Sequence, residues 1–478
     1  MRKIASTSIT LLALLTGGCM IGPDYYRPAV DTPQAWRLTD EGAKDLANTP
    51  WWEQFDDPVL NELVATALRE NKDLLIAIAR IDEYAGRYGI TRSALFPQIG
   101  AGYDAAKQKN TLPGTSVQDV YNTYDAFLGA SWEIDLWGKI RRQSEAARAQ
   151  LVASEQGRQG VILSLVANVA SAYINLRDLD RQLEIAVSTA KAREGSYKLF
   201  QDRYAGGVIS LLELSQNKSQ YEEALATIPS LEKSIVQQEN ALSVLLGRNP
   251  GPIARGKTID ELMPPATPEG LPSSLLERRP DILEAEQLLI SANAQIGAAK
   301  AAYYPTISLT GLLGSASSNL SDLFSGPAKV WQYGAAINLP IFTGGLLAGQ
   351  VQVAEAQQQQ ALLSYQKAIQ NAFREVNDAL IDQDRTRAQL ATQRLQVEAL
   401  QQYSDTARLR YDNGYTSYIE VLDAERSLFN AQLQYTQTQQ TRLQAAINLY
   451  KAMGGGWVAE AEKLSLPAEK KAAGSGPS

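Results

Sequence analysis

Histidine is absent from this chain, and cysteine occurs once, at position 19. The commonest general base and metal ligand is therefore missing, so His-containing triads and zinc sites are excluded. Only carboxylate, Lys or Tyr chemistry stays open. Arg255-Gly256-Lys257-Thr258 ends as a phosphate loop ends, but the upstream glycine and a strand leading into a helix are missing, so it is not read as one. No catalytic residue, metal or cofactor is expected. Lys and Arg number 45 against 52 Asp and Glu, a formal charge of -7, with no basic block; a nucleic-acid partner is not expected either. Cys19 follows Arg2, Lys3, an apolar run from Ile9 to Leu15, and Thr16, Gly17 and Gly18. Those are the parts of a secretory signal, too short to span a bilayer as a helix. Leu15-Thr16-Gly17-Gly18-Cys19 resembles a bacterial lipobox, with Thr16 where Leu is usual, and makes Cys19 the acylated first residue of the mature chain. The alternative is an ordinary signal with an incidental cysteine, although an unpaired thiol is awkward in an exported chain. Met20 after the cysteine, in place of Asp, resembles lipoproteins sorted to the outer membrane.

The elements around these residues come in two copies. Asp73 to Pro97 aligns without gaps to Asp281 to Pro305, 208 residues on, and Arg203-Tyr204-Ala205-Gly206-Gly207 matches Arg410-Tyr411-Asp412-Asn413-Gly414, 207 residues on. The chain reads as a tandem duplication. Prolines from Pro250 to Pro280 forbid a continuous helix between the copies. The divisions are a signal peptide (1–18), an extended Pro-rich segment (19–57), a first repeat (58–247), a linker (248–280), a second repeat (281–453) and a disordered tail (454–478). Asp57-Pro58 starts a helix as N-cap and first helical residue.

Each copy carries alternating sequence after its first helix. Tyr124, Ala126, Leu128, Ala130, Trp132, Ile134 and Leu136 alternate with Asp125, Phe127, Gly129, Ser131, Glu133 and Asp135. Trp331, Tyr333, Ala335, Ile337, Leu339 and Ile341 do the same, with partners from Ile99 and from Ile307. The period of two predicts hairpins over about 98–137 and 306–342, apolar on one face. Either a soluble sheet has one wet face, or the strands cross a bilayer, for which about ten residues suffice. Aromatics at Phe96, Trp132, Trp137, Tyr303, Tyr304 and Trp331 suit interfacial girdles. No stretch after the leader approaches the length of a transmembrane helix. Four strands cannot close a membrane barrel, so spanning requires two, three or four chains.

From Gly138 to Arg203 and from Gly345 to Arg410 no proline interrupts the chain, which allows helices of about 65 residues, roughly 97 Å each. Ile162, Leu165, Val169, Ala172, Leu176, Leu179 and Leu183 form a heptad seam. Gly207 and Gly414 read as left-handed helix terminators. Ser210 with Glu213, and Ser417 with Glu420, have capping-box spacing. Helices returning to about Leu246 and Leu449 are too short for their neighbours. The helices from Pro58 to Phe96 and from Asp281 to Tyr304 stack end to end with them.

CMIGPDYYRP, WWEQFDDPVLNELV, ALFP, AYYP, LLGRNPG, RRPDILEAE and RYDNGYTSYIEVLDAERS together resemble the TolC-like outer-membrane efflux family, specifically OprM- and NodT-type lipoproteins, over nearly the whole mature chain. The fold implied is mainly α with transmembrane β: duplicated coiled-coil hairpins forming a periplasmic tunnel, and two β-hairpins per chain in a trimeric twelve-stranded outer-membrane barrel. Implied partners are two further copies of the chain, a periplasmic adaptor, an inner-membrane pump of the resistance-nodulation-division type, and outer-membrane lipid. The implied activity is passive export of small molecules by a lipid-anchored outer-membrane protein extending into the periplasm. A type I protein-secretion duct shares this fold, and a lipid-anchored periplasmic coiled-coil scaffold shares the heptads.

The resemblance places lipid contact on Tyr124, Leu128, Trp132, Ile134, Trp331, Tyr333, Ile337 and Leu339. Adaptor docking falls at the turns, on Gly207, Ser210, Glu213, Gly414, Ser417 and Glu420. A periplasmic gate falls on Ile419, Asp423 and Arg426, where threefold repetition makes rings; the alternative is an ordinary exposed ion pair within one helix. The first-copy matches are Leu212, Gln216 and Ser219.

The lipobox predicts a mature protein that begins at Cys19 and carries acyl chains. Mass spectrometry of the mature N-terminus checks this, and cleavage elsewhere or an unmodified Cys19 rules it out.

Overall fold

The computed structural model describes residues 20–38, 49–111, 118–268, 272–454 and 456–465. The signal peptide, Cys19 and the last part of the tail lie outside the described residues. The chain divides into two compact units, each drawing on both sequence copies: residues 1–30, 79–155 and 284–367 in one, and 31–78, 156–283 and 368–478 in the other.

The copies fold alike. In the first, α1 (Pro58–Glu70) and α2 (Lys72–Ser93) precede β1 (Gln98–Thr111) and β2 (Gln118–Ile134), followed by α3 (Lys139–Ala205) and α4 (Leu211–Leu245). In the second, α5 (Pro280–Ala301) precedes β3 (Thr306–Ser317) and β4 (Lys329–Asn338), then α6 (Leu346–Asp412) and α7 (Tyr418–Ala452). Both long helices have 67 residues and both return helices 35, so each long rod extends about 100 Å.

In the first unit the hairpins join into one antiparallel sheet of order β1-β2-β3-β4. Pro305 and Pro340 bound the outer hairpin, because a residue without N–H cannot continue a ladder. Leu339, expected within the strand, therefore lies one residue past β4.

The second unit holds the main helical core. Ile162, Leu165, Val169 and Leu176 of the heptad seam are buried, and Ala172, Leu179 and Leu183 pack at its margin. One window of α3 is apolar enough, with mean hydropathy 1.4, to pass for a membrane span by length and composition, against the sequence expectation that none exists. More than half of it, 56%, is buried inside the protein, so it is a core helix. Trp51 stacks on Tyr450 at 5.7 Å and meets Trp457 edge-on at 5.9 Å. Trp457 belongs to α8 (Trp457–Ser465), which corrects the expectation of disorder from residue 454. Burying such a ring contributes about 1.5–3 kcal/mol, enough to hold a nine-residue helix that polar sequence alone would not.

The Pro-rich segment between the copies is clamped down. Asp57, the N-cap of α1, accepts from the amides of Val59 and Leu60 at 2.9 and 3.4 Å. Its other oxygen accepts from the Tyr173 hydroxyl at 2.8 Å and the Lys257 amide at 3.0 Å. The Gly256 amide donates to the Tyr173 oxygen at 2.8 Å. Burial, and then the Asp57 carboxylate, push the Tyr173 phenol up, so it stays a donor. With these amides occupied and Lys257 Nζ 2.6 Å from Asp56, the Arg255–Thr258 turn is structural.

A single helix was expected from Pro58 to Phe96, and it breaks at Asn71, whose ψ is 130°. Asn71 starts α2 by accepting from the Leu74 amide at 3.0 Å and donates Nδ2 to the Leu245 carbonyl, the end of α4, at 2.9 Å. In the second copy Arg279 donates Nη1 to the Ala452 carbonyl, the end of α7, at 2.9 Å. Each return helix thus abuts the helix that extends it, and one side chain per junction takes up an orphan carbonyl.

Asn71→Ala removes both bonds and leaves buried backbone groups unmatched. A loss of about 2 kcal/mol is expected, against under about 0.5 kcal/mol for the neighbouring Lys72→Ala. Denaturant unfolding in detergent checks it, and equal losses would show that Asn71 does not hold the junction.

Candidate functional site

The sheet separates its two faces by register alone. Ala101, Leu128, Leu313 and Trp331 are successive cross-strand partners, as are Ile99, Ala130, Gly311 and Tyr333. Ile134, Ile307 and Ile337 form a third row. Of the expected lipid-facing residues, Leu128, Trp132, Trp331, Tyr333, Ile337 and Leu339 are exposed in the single chain, and Tyr124 and Ile134 are half-buried. From Tyr124 to Ile134 the strand rises about 34 Å, or about 24 Å along the normal when tilted by about 45°, the height of a membrane apolar band. Toward the hairpin tips the same face turns polar at Lys107 and Lys329.

The opposite face carries Gln98, Asp104, Asp125, Ser131, Glu133, Ser308, Thr310 and Gln332 with several glycines. Tyr121, Phe127, Leu312 and Val330 are larger apolar side chains on this face, and the Phe127 ring lies over Gly102, where an added Cβ would come within 2.6 Å of it. The glycine provides the space that lets an aromatic ring lie along a polar wall.

At the base of the strands Trp137 donates its indole N–H to the Pro305 carbonyl at 2.8 Å and packs on Tyr304, with centroids 4.9 Å apart. Trp132 donates to the Leu95 carbonyl at 3.0 Å. Met20 sits against Gly138 here, and the Ile21 amide donates to the Trp137 carbonyl at 3.2 Å. Farther along, Gly22 touches Gly297 so closely that a Cβ on Gly22 would lie 2.3 Å from its Cα. Arg142, almost fully buried, holds Asp24 at 2.8 Å, and Arg27 forks onto Glu286, which also accepts from Tyr25 at 3.0 Å. Sequence reasoning missed these clasps, because partners more than a hundred residues apart leave no local pattern.

In the second unit both helix turns close on glycine, Gly207 with φ 69° and Gly414 with φ 75°. The Val208 amide reaches the Arg203 carbonyl and the Tyr415 amide the Arg410 carbonyl, each at 2.9 Å, the Schellman arrangement. Ser210 and Glu213 form the expected reciprocal capping box. Ser417 and Glu420 do not. Arg410, 3.4 Å away, and the Thr416 hydroxyl draw the Glu420 carboxylate aside. Ile209 stands where Thr416 does in the second copy, so the competing hydroxyl is missing beside Glu213.

Tyr418, Val421, Leu422 and Ala424 of α7 are buried against Phe200 and Ala407, which sets the roll of the helix. Ile419, Asp423 and Arg426 consequently face outward, all more than half exposed, with Arg426 Nη2 3.2 Å from Asp423 Oδ1. Within one chain this pair is worth under about 1 kcal/mol. Val208, Leu211 and Tyr415 are strongly exposed beside the turns, an apolar surface of the sort that marks an interaction site.

The family model for outer membrane efflux proteins matches residues 63–248 and again 271–455. The chain is 38% identical over 460 residues to the probable efflux pump outer membrane protein TtgC of Pseudomonas putida, covering 94% of this chain and 95% of that one. It is 36% identical over 463 residues to the probable outer membrane lipoprotein SilC of Salmonella typhimurium, covering 96% and 100%. The crystal structure of the open MtrE outer membrane channel of Neisseria gonorrhoeae superposes with a TM-score of 0.82 at 33% identity, covering 92% of this chain and 99% of that one.

An Arg at Leu128 or Ala130, on the apolar face, is expected to cost about 2 to 4 kcal/mol in lipid, while an Arg at Gly129 or Ser131 is better tolerated. Folding into bilayers followed by heat-modifiable gel migration reads the difference. Equal tolerance on both faces would mark a soluble sheet.

Proposed function

Because the chain belongs to the outer membrane efflux protein family, and is an outer-membrane channel protein of tripartite efflux systems, we propose that it works as a homotrimer closing a twelve-stranded barrel over a helical duct. The observation that supports this most is the sheet: one face is apolar across all four strands, and β1 and β4 are its edges. Unpaired amides are not tolerated in hydrocarbon. With four alternating strands, β4 of one copy runs antiparallel to β1 of the next, so copies can close a ring without a parallel seam. Three copies supply twelve strands, the number that the family resemblance implies.

The chain itself performs no covalent chemistry. It supplies a water-filled path along the polar sheet face, and the inner-membrane pump supplies the energy. Small molecules such as drugs or solvents are the cargo, sorted coarsely by charge at constrictions. The exposed apolar residues beside Gly207, Ser210, Glu213, Gly414, Ser417 and Glu420 are the docking surface for the periplasmic adaptor. Acyl chains on Cys19 enter the bilayer where Met20 packs, at the base of the strands. Acyl anchoring is weak beside barrel insertion, so Cys19→Ala behind a non-lipid signal still assembles.

Ile419, Asp423 and Arg426 close the periplasmic end as three stacked rings. Charge in this register occurs only in the second copy, since Leu212, Gln216 and Ser219 occupy the first, so the α6–α7 hairpins bear the gate. Purified protein in detergent is expected to be a trimer that conducts in planar bilayers. Asp423→Ala combined with Arg426→Ala is expected to raise resting conductance with unchanged trimer yield. A monomer without conductance would refute the channel reading, and a double variant conducting like the parent would refute the gate alone.

A further inference from the structure

Three arginines of this protein, Arg279, Arg255 and Arg27, grip a carboxylate side-on. The Nε and Nη2 hydrogens of a guanidinium point in parallel and match two oxygens of a carboxylate or phosphate. Arg279 sets these atoms 3.0 and 2.7 Å from the two oxygens of Asp281. Arg255 sets them 3.0 and 3.2 Å from Asp180, and Arg27 sets them on Glu286.

Arg193 in α3 departs from the pattern. It is 4% exposed, and its Nη1 donates to the Gln220 carbonyl of α4 at 2.7 Å. Phe429 of α7 covers the guanidinium, 5.3 Å from ring centroid to Cζ. Glu223, half exposed, approaches only Nη1, at 3.7 Å. Nε and Nη2, the two donors of the fork, have no hydrogen-bond partner among the described residues. A buried cation so incompletely matched is costly, and its missing counterpart is an anion with two oxygens.

Arg193 lines a cavity of about 490 Å³ together with Ser196, Ser404, Asp405, Arg408 and Glu425. Neither carboxylate serves the fork: Asp405 accepts from Gln401 at 3.0 Å, and Glu425 lies 3.6 Å from Arg408. Burial pulls the Arg193 guanidinium below its ordinary value and pushes the Glu425 carboxyl up, as expected where buried charge is poorly matched.

We propose that this cavity binds a small oxyanion, inorganic phosphate or a short carboxylate, gripped side-on by Nε and Nη2 of Arg193. Ser404, and Ser196 whose oxygen accepts from Arg408 Nη1 at 3.2 Å, offer hydroxyls to the remaining oxygens. Phe429 acts as the cover, and its ring turns aside to admit the ion. Arg193 is tied to α4 through Gln220 and to α7 through Phe429, and Arg408 belongs to α6. The occupant therefore binds the folded packing of four helices and stabilises it by mass action.

Full-length protein in detergent is titrated with sodium phosphate, sodium succinate or sodium chloride at matched ionic strength, and thermal unfolding is followed. Phosphate or succinate is expected to raise Tm progressively where chloride does not, and the ion that acts identifies the occupant. Arg193→Lys keeps the charge but not the fork, and is expected to lose the shift while keeping its circular dichroism. Equal shifts in all three salts overturn the proposal, and so does an undiminished shift in Arg193→Lys. If that variant does not fold, equilibrium dialysis of the parent with labelled phosphate and labelled succinate decides, and no saturable binding of either overturns it.

Discussion

A strand in hydrocarbon has no water to take up an unpaired amide, so a sheet that meets lipid must close on itself. The sheet of this chain has two edges, Gln98–Thr111 and Lys329–Asn338, and a face whose rows Ala101-Leu128-Leu313-Trp331 and Ile99-Ala130-Gly311-Tyr333 are apolar from edge to edge. Both facts follow from duplication. Two hairpins from two copies give an even, alternating set of strands, which further copies of the chain can extend antiparallel without a mismatch. In the proposed assembly, oligomerisation is thus a consequence of backbone chemistry.

The helical part meets a different constraint, that of length. A 67-residue rod cannot be covered by a 35-residue return helix, so each copy extends the return helix with a second piece from its own beginning. End-to-end stacking exposes orphan carbonyls at each joint, and the copies meet the same need with different chemistry. Asn71 uses an amide beside Leu245, and Arg279 a guanidinium beside Ala452. The stacking was legible from helix lengths and the Pro58 and Asp281 starts. The break at Asn71 was not, because Asn71 lies in a run with helical periodicity on both sides and only its partner at Leu245 explains the interruption.

Period-two alternation made the hairpins legible to within a few residues, and the heptad seam from Ile162 to Leu183 named core residues that are indeed buried or partly buried. Leu339 was misplaced because alternation continues past the point where Pro340 ends the ladder. α8 was missed because its nine residues are mostly small and charged; its stability comes from Trp51 and Trp52, some four hundred residues earlier, against which Trp457 packs. Local pattern reveals what a segment must do with its own backbone, and long-range contact decides the rest.

The turns show how a duplicated unit becomes specialised. Gly207 and Gly414 take the same left-handed conformation, and the helices after them start in register. In the first copy the side chains of Ser210 and Glu213 bond each other. In the second, Thr416 and Arg410 take the Glu420 carboxylate, so the turn is bound to the end of the long helix as well as to the start of the return helix. That brace lies within two turns of Asp423 and Arg426, and the Phe200 contact with Tyr418 at 4.2 Å fixes the same stretch from the opposite side. A helix held on two sides presents its remaining face at a set angle. In the proposed trimer, threefold repetition of a set angle is what converts three weak ion pairs into rings.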